Sequence, residues 1–226
     1  MADSFARYIV VEGVIGVGKT TLVKALAERL TARTVFEVFD ENPFLASFYD
    51  DPKRFAFSTE MFFLLSRYNQ QELFSQGDLL QQYAVSDYLF DKCRLFARET
   101  LNEAELRLFD RMYEILVRDV PVPDLVLHLH APLDTVLARI RERARGYEQD
   151  IDPNYLERLD TAYRGFFARY DAAPVWSIDT TDIDFRDPAQ VDTLIDALAS
   201  KDRPAFAEPP RPAPAPLADP LPESSS

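Results

Sequence analysis

The stretch Gly13-Val14-Ile15-Gly16-Val17-Gly18-Lys19-Thr20 decides the fold, because it matches the pattern G-x-x-x-x-G-K followed by Ser or Thr without a gap. The apolar run Tyr8-Ile9-Val10-Val11 before it predicts a buried strand, and the apolar spacing from Thr21 to Leu30 predicts a helix. Glycines let backbone N–H groups turn inward around a phosphate, and the N-terminus of a helix adds partial positive charge there. The stretch therefore predicts a phosphate-binding loop for a nucleoside triphosphate.

The residues of this loop have distinct expected roles. Lys19 supplies a full positive charge to the outer phosphates, and the Thr20 hydroxyl is a candidate ligand of Mg²⁺. An ordinary glycine-rich turn between a strand and a helix is the alternative. The residues that we expect to bind ATP are Gly13, Val14, Ile15, Gly16, Val17, Gly18, Lys19, Thr20 and Thr21.

The composition limits the classes of protein to which the chain can belong. With 226 residues, of which 47% are hydrophobic, the chain has material for one sizeable core. The net charge of -13 repels nucleic-acid backbones and anionic membrane surfaces, so we expect neither as a partner. A single cysteine, Cys93, excludes an internal disulfide, and the N-terminus has no long apolar stretch. These features favour a cytoplasmic protein in which Cys93 is a packing residue.

Short apolar segments alternate with long helical patterns along the rest of the chain. The second to fifth predicted strands cover residues 34–39, 79–85, 125–129 and 175–178. This alternation predicts an α/β fold with a five-stranded parallel sheet that helices cover on both faces. The predicted domain covers residues 1–202. Residues 203–226 hold eight of the 16 prolines and have little to bury, which predicts a disordered Pro-rich tail.

Two acidic positions and one basic run are candidates for a functional site. Glu37 lies among Val and Phe residues in the second predicted strand, so it either faces solvent at a sheet edge or points into a site. Ser86 and Asp87 follow the third predicted strand, where they either cap a helix or contribute a working carboxylate. The run from Arg139 to Arg145 holds four arginines in an acidic chain. It either binds phosphates or forms a solvated basic face.

Together these pieces resemble a deoxyribonucleoside kinase of the bacterial deoxyguanosine and deoxyadenosine kinase type. The likeness covers about residues 5–200. Besides the phosphate loop, it rests on Glu37 followed by Asp-Glu-Asn-Pro-Phe-Leu at 40–45, on residues 48–56, and on the arginine run before Glu148. The resemblance implies a P-loop kinase fold with an arginine-rich lid, and it implies a homodimer.

The resemblance also implies roles for single residues. Glu37 is expected beside the 5′-hydroxyl of the nucleoside as a general base, and its apolar neighbours predict that burial raises its pKa. Tyr49 and Glu148 match the pair that holds the 3′-hydroxyl of the sugar. The arginines of the lid that are expected to be catalytic, because they stabilise the phosphoryl group in transfer, are Arg139, Arg143 and Arg145.

Two positions depart from the family pattern. Glu60 stands where most members have a glutamine that reads the base. An ionised carboxylate offers acceptors only, so it prefers the two adjacent donors of guanine. Ser86-Asp87-Tyr88 stands where the family has an acid, an arginine and a serine. Asp87 is therefore expected to be a site carboxylate that binds either Mg²⁺ or substrate, and Asp87 and Asp91 are alternatives for sharing recognition of the base.

The whole sequence predicts a kinase that uses Mg²⁺ and transfers the γ-phosphoryl group of ATP to the 5′-hydroxyl of a purine deoxyribonucleoside. Deoxyguanosine is the expected substrate, and deoxyadenosine comes next. One alternative is a nucleoside monophosphate kinase such as a thymidylate kinase, which needs an extra cationic subsite for the phosphate of its acceptor. The other alternative is a non-catalytic nucleotide-binding protein of the same fold, as occurs among accessory subunits of respiratory complexes.

Overall fold

A six-stranded β-sheet forms the centre of an α/β fold. The computed structural model describes residues 6–75, 82–143, 151–200 and 207–208. The strands are β1 (Tyr8–Glu12), β2 (Arg33–Val35), β3 (Ala84–Ser86), β4 (Leu125–His130), β5 (Val175–Asp179) and β6 (Ala207–Glu208). Their order across the sheet is β2-β3-β1-β4-β5-β6. The first five are mutually parallel, which confirms the predicted five-stranded parallel sheet, whereas β6 pairs antiparallel with β5.

Eight α-helices in the described part of the chain accompany the sheet, and a short 3₁₀ turn at Val117–Asp119 follows the fifth. None of the described helices is both long and apolar enough to span a bilayer. The helices are α1 (Lys19–Leu30), α2 (Leu45–Asp50), α3 (Pro52–Ser75), α4 (Lys92–Thr100), α5 (Glu103–Leu116), α6 (Leu133–Arg143), α7 (Pro153–Phe167) and α8 (Pro188–Ser200).

The parallel arrangement brings the carboxyl ends of the strands to one edge of the sheet. All residues of β1 and β4 are buried, as expected for strands that helices cover on both sides. The phosphate loop follows β1, and β1 lies between β3 and β4. The chain runs from β1 toward one side of the sheet and later returns to the other side, so a crevice opens at this point. The topology thus places the segments after β1, β2, β3 and β5 around one site.

The second strand is shorter than the sequence predicts, for a reason that concerns the site. We expected a strand over 34–39, but β2 ends at Val35. The backbone N–H of Glu37 donates to Oδ1 of Asp87 at 2.8 Å, so this N–H bonds a side chain instead of extending the sheet. The suggestion that Ser86 or Asp87 caps a helix is wrong, because Ser86 ends β3 and α4 begins only at Lys92.

The segment before the long helix is more helical than its turn residues suggest. The sequence predicts turns at 40–45 and 48–54, but residues 45–50 form α2. The spacing of apolar residues predicts the next helix over about 58–74, but α3 begins at Pro52. Proline fits the first position of a helix because its missing N–H would have no partner there, and the Asp51 side chain accepts from the N–H of Arg54 at 3.3 Å.

The sixth strand lies inside the predicted tail. Ala207 pairs with Ile178, and Ala207 is buried against the sheet. For these two residues the prediction of a disordered tail is wrong, because they pair with the edge of β5 and the Ala207 side chain is buried. The remainder of the predicted tail lies outside the described residues.

Two apolar clusters hold the fold together. The larger one surrounds the sheet and contains residues of β1, β4, β5, α1, α7 and α8. The smaller one lies among α2, α3, α4 and α5 and contains Cys93, as expected of a packing residue. Phe48 from the smaller cluster and Tyr163 from the larger one both line the same cavity. Both clusters therefore contribute to the cavity wall.

Two truncations test the sixth strand. Deleting residues 204–226 removes β6 and should lower the melting temperature by about 2–4 °C, which corresponds to about 1 kcal/mol for a domain of this size. Deleting residues 209–226 keeps β6 and should leave the melting temperature unchanged. Differential scanning calorimetry of the two chains beside the full-length protein measures both effects. Equal melting temperatures for the two truncations would contradict the stabilising role of β6.

Candidate active site

The loop after β1 has the backbone geometry of a phosphate cradle. Gly13, Gly16 and Gly18 have φ values of +144°, +84° and +108°, which favour glycine. A Cβ atom at Gly13 would lie 2.2 Å from the carbonyl oxygen of Leu129, so no larger residue fits there. The loop leads directly into the N-terminus of α1 at Lys19. Its backbone N–H groups and the helix dipole can together hold an anion.

The ammonium group of Lys19 lies inside this loop. Its Nζ atom donates to the carbonyl oxygens of Gly13 at 2.7 Å and of Val14 at 3.0 Å. Burial, and next the positive charge of Lys92, lower the pKa of Lys19 to about 8. Lys19 is therefore a cation that lies close to a second cation, and a polyphosphate would relieve their repulsion.

Two side-chain oxygens of a kind that can ligate a divalent cation meet beside the loop. The Thr20 hydroxyl donates to Oδ2 of Asp87 at 3.2 Å. Oδ1 of the same carboxylate accepts the backbone N–H of Glu37, and burial raises the pKa of Asp87. Magnesium usually takes one or two protein oxygens and completes its shell with water and phosphate oxygens. The Thr20 hydroxyl and the Asp87 carboxylate fit this open arrangement. Among the described residues no group of three or more His, Cys, Asp or Glu side chains could hold a metal.

Glu37 points into the site and is held by two cations. Oε1 accepts from Nε of Arg67 at 2.7 Å and also from Nη2 of the same guanidinium. Oε2 accepts from Nζ of Lys92 at 2.7 Å. All three side chains are nearly inaccessible to solvent, with side-chain exposures of 2% for Glu37, 4% for Arg67 and 5% for Lys92. Of the two alternatives for Glu37, the structure shows the inward one.

The expected rise in the pKa of Glu37 is wrong in direction. Burial does raise the pKa, as we expected from the apolar neighbours in the sequence. The charges of Arg67 and Lys92 and their hydrogen bonds outweigh burial, and the pKa of Glu37 falls to about 2. The carboxylate is thus ionised at every physiological pH.

A chamber with aromatic walls extends the site beyond Glu37. Tyr49 of α2 lines it, and Glu60 of α3 contributes a buried carboxyl group. Thr100 donates to Oε1 of Glu60 at 3.1 Å. Burial raises the pKa of Glu60 to about 7, although Arg67 and the Thr100 hydrogen bond oppose the rise. The aromatic residues of the wall are Phe39, Phe48, Tyr49, Phe63, Phe96, Tyr155 and Tyr163.

The basic run is only partly within the described residues. Arg139 lines the cavity, and its guanidinium donates to the backbone oxygen of Thr180 at 2.7 Å and to its hydroxyl at 3.0 Å. Arg139 thereby ties α6 to the loop after β5. Arg143 also lines the cavity. Arg145 and Glu148 lie outside the described residues.

Asp91 does not line the cavity. Its Oδ1 atom accepts from the Tyr113 hydroxyl at 3.1 Å, on the side of α5. Asp87 lies instead between the phosphate loop and Glu37. Of the two aspartates considered for the base, neither lines the cavity beside Glu60.

One continuous cavity joins the phosphate loop, Glu37 with its two cations, and the aromatic chamber. Its volume is about 820 Å³, in the upper part of the range found for small-molecule sites. The phosphate loop and residues 181–186 line one end, Glu37, Arg67 and Lys92 lie between, and Glu60 lies in the aromatic end. The sequence did not identify residues 181–186 as part of the site, because no recognised motif covers them.

Comparisons with known proteins agree with this geometry. The family model for deoxynucleoside kinases, described as "Deoxynucleoside kinase", matches residues 9–200. The chain belongs to the deoxynucleoside kinase family. It is therefore a kinase, a phosphotransferase with an alcohol acceptor.

Three relatives of this deoxynucleoside kinase illustrate the similarity. It is 36% identical to a deoxyguanosine kinase of Bacillus subtilis over 80% of this chain and 89% of the relative. It is 30% identical to a deoxyadenosine/deoxycytidine kinase of the same organism over 85% of this chain and 91% of the relative. A deoxyadenosine kinase structure from M. mycoides, with dCMP and dCDP bound, superposes with a TM-score of 0.75 at 22% identity, over 85% of this chain and 99% of that one.

Sequence reasoning missed the two cations of this kinase that bind Glu37. Arg67 lies in the apolar stripe of α3, seven residues after Glu60, and Lys92 lies among the apolar positions of α4. A charged residue on the core face of a helix is unusual and needs a partner. That feature could have marked both residues as candidates, although it could not have named Glu37 as their partner.

The substitution Glu37→Gln tests the role of the central carboxylate. It should lower kcat by about 10²-fold or more, because a positioned general base contributes 10²–10⁴ and the amide cannot accept the proton. Steady-state kinetics with ATP and a deoxynucleoside measure the effect. Asp110→Asn is a matched control, because it breaks the ion pair with Arg94 outside the cavity and should leave kcat unchanged. A raised KM with an unchanged kcat would make Glu37 a binding residue only.

Proposed function

We propose that this protein transfers the γ-phosphoryl group of ATP to the 5′-hydroxyl of a purine deoxyribonucleoside, with Mg²⁺ as cofactor. One observation carries the proposal: a single cavity joins the phosphate loop to the Glu37 carboxylate and then to an aromatic chamber with one carboxyl group at Glu60. ATP occupies the end with the phosphate loop in this proposal. The nucleoside lies in the chamber, with its 5′-hydroxyl at Glu37.

Each group of the site then has a task. The loop N–H groups and Lys19 hold the outer phosphates, and Thr20 and Asp87 would hold Mg²⁺, which neutralises phosphate charge. Arg143 and Arg145, with Arg139, are proposed to stabilise the group in transfer. Tyr49 and Glu148 are proposed to bind the 3′-hydroxyl. These assignments distribute the work as phosphoryl transfer requires, since positioning and charge stabilisation supply most of its catalysis.

The transfer step itself is simple. The 5′-oxygen forms a bond to the γ-phosphorus, and the bond from that phosphorus to the oxygen shared with the β-phosphate breaks. The hydroxyl proton passes to Glu37. A carboxylate of low pKa suffices for this, because in a loose transition state the hydroxyl loses its proton only after it has become strongly acidic.

The structure contains two cations that a monophosphate kinase could use, but their contacts do not favour that alternative. Such an enzyme needs an additional cationic subsite, and Arg67 and Lys92 are two cations in the cavity that the sequence did not reveal. Both already bind Glu37, and Lys92 also lies 3.7 Å from Glu12. Two carboxylates therefore balance these two cations, so the pair offers no excess positive charge to the phosphate of an acceptor.

A panel of acceptors tests the proposal. The four deoxynucleosides and their monophosphates are each incubated with ATP and Mg²⁺, and ADP formation is measured. We expect turnover with deoxyguanosine and deoxyadenosine and none with the monophosphates. Phosphorylation of the monophosphates alone would show that the acceptor is misassigned.

The variant Lys19→Ala should abolish the turnover of deoxynucleosides without changing the melting temperature, since it removes the positive charge that binds the outer phosphates of ATP.

The choice of base rests on Glu60. An ionised Glu60 offers acceptors only, which suit the adjacent N1–H and amino donors of guanine. A protonated Glu60 offers one donor and one acceptor, as a glutamine does, and these suit the amino group and N1 of adenine. The pKa of about 7 places both forms near neutral pH. The groups around Glu60 that influence this equilibrium are Glu37, Arg67, Lys92, Cys93, Thr100 and Tyr155.

The preference for deoxyguanosine should therefore increase with pH. Below pH 7 the protonated form predominates and accepts adenine, whereas above pH 7 the ionised form rejects it. The ratio of kcat/KM for deoxyguanosine to that for deoxyadenosine should rise by about 10-fold or more between pH 5.5 and pH 8.5, since an unpaired polar contact costs about 1–3 kcal/mol. Competition kinetics with both nucleosides in one mixture measure this ratio directly.

The variant Glu60→Gln is the control for this dependence. Its amide does not titrate, so the ratio should be independent of pH and should favour deoxyadenosine more than the wild type does at pH 8.5. Other groups of the site act equally on both nucleosides, because these share the sugar and the reacting hydroxyl. A wild-type ratio that is constant over this pH range would remove Glu60 from base recognition.

We further propose that the protein is a cytoplasmic homodimer. Leu65 on α3 and Leu108 and Ile115 on α5 are exposed to 44%, 50% and 59%. The two helices pack against each other, and Leu108 and Ile115 lie two turns apart on one face. These apolar side chains support a contact with a second copy, and sedimentation velocity of the full chain tests it. The free thiol of Cys93 supports a reducing compartment.

A further inference from the structure

Lys92 is the one ammonium group that lies between the two halves of the cavity as the described residues form it. Its Nζ atom is 2.7 Å from Oε2 of Glu37, on the acceptor side. It is also 3.7 Å from Oε1 of Glu12, whose Oε2 atom accepts the backbone N–H of Gly13 at 2.8 Å. Lys92 thus connects the proposed proton acceptor with the first residue of the phosphate loop.

The hydrogen bonds of Lys92 are incomplete within the described part of the chain. An ammonium group has three donors. One donor binds Glu37, and the 3.7 Å separation from Glu12 is an ion pair that exceeds hydrogen-bond length. The rings of Tyr88 and Phe96, each 5.9 Å away, provide only weak cation–π contacts. Because Lys92 lines the cavity, at least one of its N–H groups can reach a ligand oxygen.

The hydrogen bonds of Glu37 show where that ligand oxygen lies. A carboxylate has about four lone-pair sites. Arg67 occupies two of them on Oε1, and Lys92 occupies one on Oε2. The remaining site is on Oε2, next to the Lys92 ammonium. A hydroxyl that donates to Glu37 at this site therefore also meets the free N–H of Lys92.

We propose that Lys92 is a further catalytic residue, which binds the reacting oxygen and then the transferred phosphoryl group. The inference rests on the proposed function. Before transfer, Lys92 neutralises Glu37 and orients the 5′-hydroxyl. As the 5′-oxygen bonds to phosphorus and its proton passes to Glu37, that carboxylate loses its charge. The ammonium of Lys92 is then a buried cation without its main counter-charge, and it interacts with the oxygens of the phosphoryl group beside it.

The test compares Lys92→Met with Lys92→Arg, using ATP, Mg²⁺ and deoxyguanosine. Removing a preorganised donor from a transition state costs about 10²–10³ in kcat. We expect such a loss for Lys92→Met with less than a threefold change in the KM for deoxyguanosine. Lys92→Arg retains a cation and should recover at least a tenth of the wild-type kcat. A residue that only stabilised the fold would instead lower the melting temperature and leave kcat of the folded fraction unchanged.

Two further variants keep the test decisive. Arg94→Met is the matched control, because Arg94 is a cation on the same helix, is paired with Asp110 and does not line the cavity. It should retain wild-type kcat. If Lys92→Met does not fold, Lys92→Gln replaces it, because its amide removes the positive charge and can still donate a hydrogen bond to Glu37.

The outcomes separate this inference from the proposed function. Wild-type kcat in the folded Lys92→Met protein, or in Lys92→Gln where that variant replaces it, would overturn the catalytic role of Lys92 alone. A wild-type protein that transfers phosphate to none of the four deoxynucleosides would overturn both proposals. A loss of kcat in Lys92→Met together with recovery in Lys92→Arg supports the inference.

Discussion

The buried ionic contact of Glu37 with Arg67 and Lys92 is the constraint on which the site depends. It joins the segment after β2 to both α3 and α4, in addition to the hydrogen bond from Gln70 to the Phe36 carbonyl and the apolar contacts. A buried ion pair is a weak source of stability, because the charges lose their hydration. Here the contact fixes the position of Glu37, because Arg67 and Lys92 hold its carboxylate so that a single lone-pair site is left for a ligand in the cavity. A loose carboxylate on an irregular segment could not be aimed in this way.

The same contact explains why the pKa of Glu37 could not be predicted from the sequence. The neighbouring valines and phenylalanines correctly indicate burial, but burial alone gives the wrong direction of the shift. The opposing charges come from residues 30 and 55 positions further along the chain. No periodicity or motif links such distant positions. Only the packing of α3 and α4 shows that Arg67 and Lys92 reach the same carboxylate.

Much of the fold was nevertheless predictable, because its signals are local. The phosphate loop follows a pattern that only a strand, a tight glycine turn and a helix can satisfy, and the structure has all three. Long apolar stripes located the main helices, and buried runs located β1, β4 and β5, whereas the prediction of 79–85 overlaps β3 only at Ala84 and Val85. The errors occur where tertiary contacts override local preference. Strand β2 ends early, at Val35, because the Asp87 carboxylate accepts the backbone N–H of Glu37. Ala207 joins the sheet because it pairs with Ile178 at the edge of β5.

The site combines two carboxyl groups that burial affects in opposite ways. Glu37 and Glu60 both lie in the cavity wall, and burial raises the pKa of each. Glu37 has two cations within hydrogen-bond distance, so it stays ionised, whereas Glu60 has a neutral hydroxyl and a more distant guanidinium. Arg67 acts on both groups, but it bonds only Glu37. The placement of one guanidinium therefore separates a permanently charged carboxylate, suited to orienting a hydroxyl, from a titrating carboxyl group, suited to reading a base.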